Sequence, residues 1–102
     1  MTNIREARKA LVMRILEGAG RASHSERRAA FNNQDVAKPL GPLVEKVAMH
    51  AAMVTDQDIN VAKASGFSED HVFEIIVCAA IGQATRQYDA ATAALEMAIR
   101  KE

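Results

Sequence analysis

With 102 residues the chain has room for one domain of the common size of about 100–150 residues and for no second one. Its 49% hydrophobic content, with 13 Lys+Arg against 13 Asp+Glu, lies outside the disordered regime and supplies no global field for nucleic acid, an anionic membrane or an acidic partner. A single cysteine, Cys78, excludes an internal disulfide and fits a reducing cytoplasm, and no apolar run nears the ~20 residues of a membrane span. A cytoplasmic protein with no membrane and no nucleic-acid partner is expected. A globule this small buries only about 60–65% of the surface of its unfolded chain, so self-association would add to its stability.

Helical spacing dominates the sequence, and no alternating strand pattern competes with it, so the class is all-α. The first 20 residues read as an N-terminal amphipathic helix, about Asn3 to Glu17, with Ile4, Ala7, Leu11 and Ile15 on one face and a stop at Gly18-Ala-Gly20. Its arginines superficially match a transit peptide, but the interspersed Glu6, Glu17 and Glu26 argue for a solvated charged face. Residues 21–42 read as an irregular connection, with a helical turn at Ser25–Phe31 capped by Ser25 and with Pro39 and Pro42 closing the segment. Residues 43–98 form the predicted helical core.

That core opens with a helix carrying Leu43, Val44, Val47, Ala48, Ala51 and Val54 on one arc. Thr55-Asp-Gln-Asp58 is a fresh capping signal, which predicts a break and then a short helix with Ile59, Ala62 and Lys63 that ends at Gly66. Gly66-Phe-Ser-Glu-Asp70 is the sharpest local signal: a helix stop, a Ser68 N-cap, two acidic residues in the first turn, and a Phe67/Val72 staple.

From Glu69 the helical pattern continues to about Ala98. Projection places Glu74, Cys78, Thr85, Asp89, Thr92 and Glu96 on a narrow polar arc expected to face water. Phe73, Val77, Ile81 and Leu95 form one apolar flank; Val72, Ile75, Ile76, Ala79, Ala90, Ala93, Ala94 and Met97 form the other. A helix so apolar all round must be nearly surrounded, which predicts a homo-oligomer in which the alanine-rich flank packs on another subunit. Gln83, Arg86 and Gln87 intrude on that flank at i, i+3 and i+4. A buried guanidinium needs a partner, so Arg86 is expected to meet a carboxylate or, with Gln83 and Gln87, to hold an anionic small molecule.

Few other residues invite chemistry. Glu74 lies one turn before Cys78 and would raise its pKa, which disfavours a reactive thiolate. His50, with no carboxylate one turn away, reads first as a partly buried structural histidine and only weakly as a catalytic candidate. No two histidines stand at ligand spacing, so no metal site is expected. No Gly-rich phosphate loop or nucleophile elbow is present, and no motif calls for a cofactor. Arg27-Arg28 and the basic first helix lack interleaved aromatic residues and read as a solvated face.

The order of elements from His50 to Glu96, and above all Val61-Ala-Lys-Ala-Ser-Gly-Phe-Ser-Glu-Asp-His-Val72, resembles the AhpD-like, or carboxymuconolactone decarboxylase, superfamily over about half the chain. The resemblance implies a small all-helical protein assembling into trimers, hexamers or related oligomers. Its thiol branch carries C-x-x-C-x-x-x-H, and counting back from Gly66 sets Ala51, Val54 and Asp58 where the two cysteines and the histidine would stand. None of the three is retained, so peroxide-driven thiol cycling is not inherited. The decarboxylase branch, acting on a carboxylated lactone without a thiol pair, is not excluded by that loss.

Three readings follow. The leading one is a non-redox binding or structural member in which Arg86, Gln83 and Gln87 form an interface network. The alternative is a decarboxylase-type enzyme with His50 carrying a proton and Arg86 positioning a carboxylate. The third is residual one-cysteine peroxidase activity at Cys78.

Overall fold

The computed structural model describes residues 2–100 and contains helices and no strands among them. The elements are α1 (Thr2–Glu17), α2 (His24–Asn32), α3 (Gly41–His50), a 3-10 turn (Ala51–Met53), α4 (Asp56–Ala64) and α5 (Glu69–Arg100). At 1.5 Å per residue the 32 residues of α5 span about 48 Å and set the long dimension of a body measuring 55 × 28 × 21 Å.

Within residues 21–42 the helical turn expected at Ser25–Phe31 is present and longer, as α2. Its N-cap is Ser23 and not Ser25: the Ser23 hydroxyl accepts the Glu26 N–H at 3.1 Å while the Glu26 carboxylate accepts the Ser23 N–H at 2.8 Å, a complete capping box. Asn33, in the left-handed region at φ 52°, ends the helix, with its N–H bonded back to the last turn. Pro42 sits in the first turn of α3, where the missing N–H costs nothing. The expected break at Thr55 is present, and Thr55 and Asp58 form a second capping box. Ser68 accepts the His71 N–H at 3.1 Å to start α5.

The core gathers Ala30, Leu40, Leu43, Val44, Val47 and Ala62 around Val72, Ile75, Cys78 and Ala79 of α5, with Ile15, Phe31 and Phe67 packed against its edge. Helix α5 meets α2 most extensively, then α3, with α1 and α4 making smaller contacts. Close approach requires a glycine at the α2–α5 crossing. A Cβ on Gly82 would overlap the Phe31 carbonyl oxygen and lie 2.8 Å from the Phe31 Cα.

The faces of α5 therefore differ from those expected. Val72, Ile75 and Ala79, assigned by projection to an intersubunit flank, are covered by the chain's own α2 and α3. Cys78 of the supposed water-facing arc is 1% exposed. Polarity misled here because Glu74 points toward backbone N–H groups between α1 and α2 and not toward solvent, whereas Asp89 of the same arc is exposed as expected.

Candidate functional site

The best-built polar cluster lies where α1 hands over to α2, and its members satisfy one another. Glu74 of α5 accepts the N–H groups of Arg21 and Ala22 at 2.9–3.0 Å. Gly20 leaves room for it, since a Cβ there would fall 2.5 Å from the Glu74 Oε1. Arg27 is only 4% exposed and donates to three carbonyl oxygens: Gly18 at 2.6 Å, Ala22 at 3.1 Å and Ile15 at 3.3 Å. The guanidinium thus neutralises the negative end of α1 and ties it to α2. Arg27 is no solvated cation. Arg28 is one, and pairs with Glu17 at 2.6 Å on the surface.

His71 Nε2 lies 3.0 Å from the Glu26 Oε2, and its ring centroid is 5.0 Å from that of Phe67. Burial raises the Glu26 pKa, but the Ser23 N–H and the His71 ring outweigh it and hold the carboxyl below its ordinary 4.5. Burial likewise opposes ionisation of Glu74, yet the Arg21 and Ala22 N–H groups and the Arg27 charge bring its pKa down. For Asp58, the Thr55 N–H and then Lys46 depress the value. All three shifts are downward, so the stability they lend is complete above about pH 5 and is lost as pH falls through the depressed folded values. The urea midpoint is expected to drop on acidification below about pH 4.5, and Glu74→Gln should flatten that drop; an unchanged profile would show that Glu74 does not carry it.

Sequence reasoning missed this cluster, although Ser23-x-x-Glu26 carried a legible signal for half of it. Nothing local pointed to Glu74 or Arg27, whose partners are backbone groups of other elements.

Cys78 sits against this cluster. Burial pushes its thiol up to about 11, with Glu74 adding to the rise and Arg27 opposing it. The thiol faces the Ile15 carbonyl at 3.8 Å. At neutral pH it stays protonated and enclosed, the opposite of what peroxide chemistry needs.

Of the predicted ligand residues, Arg86 and Gln83 come together and Gln87 does not. Arg86 donates to the Phe31 carbonyl at 2.6 Å and to the Gln83 Oε1 at 2.9 Å. In place of the expected carboxylate it meets the last turn of α2, whose carbonyl attracts a cation as well as an acid would. Gln87 is exposed.

His50 is exposed rather than partly buried. It lines an open groove of about 940 Å³ between α3 and α4, with Pro39, Pro42, Leu43, Met49 and Val61 as apolar walls and the Lys46–Asp58 pair, 2.9 Å apart, among its polar groups. Arg86 is not part of this groove. Of the three positions aligned with the thiol motif, Ala51 is exposed in the 3-10 turn, Val54 packs at the core edge, and Asp58 serves as capping residue and ion-pair partner.

Among the described residues no three His, Cys, Asp or Glu side chains gather as a metal-binding group, and no helix is long and apolar enough to cross a membrane. What the chain leaves unsatisfied is apolar. Phe73, Leu95 and Ile99 of α5 are 60–65% exposed, while no buried polar side-chain atom among the described residues lacks a partner. Compared with protein-family models, curated proteins and solved structures, the chain matches none.

Proposed function

We propose that this protein is a self-assembling helical module, a non-redox binding or structural protein whose assembly element is α5. One observation carries the reading: polar groups at the α1–α2–α5 junction are paired within the chain, whereas α5 exposes large apolar side chains at its start, Phe73, and over its C-terminal part, Tyr88, Leu95, Met97 and Ile99. The enclosed Cys78 speaks against thiol peroxidase activity. The AhpD-like resemblance rests on Val61–Val72 and is compatible with the succession α3, α4, α5; the comparisons add nothing to it.

Light scattering at 1–100 μM tests the reading. A mass at or above that of a dimer is expected at the upper end, and a monomer throughout would overturn it. A second reading, decarboxylase-type turnover of a carboxylated lactone, draws on the exposed His50 in its groove but loses Arg86 as the anion clamp, because that guanidinium is committed to Phe31.

A further inference from the structure

Helix α1 is attached to the molecule in a way that no other α-helix is. Each of α2 to α5 contributes at least one buried residue, whereas none of the residues from Ile4 to Glu17 is buried. Ile4, Leu11 and Met13 are 47–59% exposed, and of the apolar residues of α1 only Ile15 packs against the core. Apolar burial therefore holds this helix weakly.

Its ties are polar instead. Arg8 pairs with Asp89 at 2.7 Å and lies 4.6 Å from the centre of the Tyr88 ring, Glu17 pairs with Arg28 at 2.6 Å, and Arg27 donates to the carbonyls of Ile15 and Gly18. Both ion pairs are open to solvent, where such contacts contribute little and are screened by salt. A cleft of about 190 Å³, bounded by Ile15, Ala19, Phe73 and Val77 among others, lies between α1 and α5, so part of their contact is unfilled. The chain just beyond α1 is held more firmly. The Glu74 carboxylate fixes the N–H groups of Arg21 and Ala22, and Arg27 fixes the Ala22 carbonyl, so a movement of α1 would stop at residues 18–20 and leave α2 in place. What α1 covers is the thiol. Cys78 is 1% exposed, and its Sγ faces the Ile15 carbonyl at 3.8 Å.

We propose that α1 is an electrostatically latched lid over Cys78, which lifts as a unit about residues 18–20 while α2 to α5 stay folded. Arg8 is the outer latch. Arg27, which holds the carbonyls of Ile15 and Gly18, is the inner one. With both released, the wall in front of the sulfur is gone and Val77 beside it opens to water. Local openings of this kind start from elements with few buried apolar contacts, which describes α1 and no other α-helix of the chain. The lid operates whether or not copies of the chain associate, because the contacts that latch it all lie within one chain.

The test is the rate at which a maleimide adds to Cys78, the only thiol, in the full chain at neutral pH and at urea concentrations below the unfolding transition. Lifting of α1 alone predicts labelling faster than global unfolding allows, with a shallower dependence on urea because less surface is exposed. Arg8→Ala is expected to speed labelling about 10-fold by removing the ion pair and the contact with Tyr88, and about 1 M NaCl to speed the parent several-fold. Lys46→Ala, which removes the ion pair between α3 and α4, should leave the rate unchanged. Labelling that follows the full urea dependence of global unfolding in every variant overturns the lid, since Cys78 would then be reached only in the unfolded chain. So does an Arg8→Ala protein that labels no faster than the parent, or one whose gain is matched by an equal loss of global stability. Equal acceleration by Lys46→Ala would likewise count against it.

Discussion

Gly82→Ala is expected to destabilise the fold by about 3 kcal/mol, because the added methyl has nowhere to go. Intrinsic preference argues the other way: alanine in a helix interior is better than glycine by about 1 kcal/mol. Packing decides the sign. The new Cβ would overlap the carbonyl of Phe31, a backbone atom at the end of α2 that cannot rotate aside, and relief requires α2 to move off α5 across the main contact of the fold. A fall in Tm of about 15 °C should follow for a domain of this size. Gly20→Ala provides the contrast, since its obstacle is the end of the Glu74 side chain. Thermal unfolding followed by circular dichroism checks both, and a Gly82→Ala protein that melts higher than the parent would mean that α2 and α5 do not approach as described.

Arg27→Met should cost a similar amount, about 3 kcal/mol, for an electrostatic reason. Methionine keeps much of the stem but removes the donors to Ile15, Gly18 and Ala22, leaving carbonyl oxygens at the end of α1 without partners; hydrogen bonds from a charged donor are worth about 1.5–3 kcal/mol each, and the losses are not additive. It also strips Glu74 of a neighbouring positive charge. The adjacent Arg28→Ala is the control: its ion pair with Glu17 is exposed on both sides, and its loss should lie within about 0.5 kcal/mol. Urea unfolding of the two variants measures the difference. Equal midpoints would show that Arg27 is no more anchored than its neighbour.

Much of the fold was legible because its signals are local. Thr55-x-x-Asp58, Ser68 with its acidic first turn, and the 3.6-residue spacing of Leu43, Val44 and Val47 each fix a helix from side chains that lie within a turn of one another. The cap of α2 falls at Ser23 and not at the expected Ser25, because Ser23 has a glutamate three residues on, whereas Ser25 has Arg28. The orientation of α5 was not legible, for a different reason. Projection ranks faces by polarity, and it treats Glu74 as solvent-seeking, whereas free N–H groups of a distant turn serve a carboxylate as well as water does. The same blindness assigned Arg86 a carboxylate when a carbonyl sufficed. Polar residues that bond to backbone leave no complementary residue type in the sequence to find.

The anchors of this fold share a direction in the chain. Ala22 meets Glu74 across 52 positions, Phe31 meets Arg86 across 55, Ile15 meets Cys78 across 63 and Arg8 meets Asp89 across 81, and each ends on α5. During synthesis α1 and α2 therefore leave the ribosome able to meet each other through Arg27 and Arg28, but with their partners on α5 still untranslated. Residues such as Ala22 and Ala30 must wait, hydrated and unclosed, until α5 emerges to organise them, so the nascent chain gains most of its architecture late.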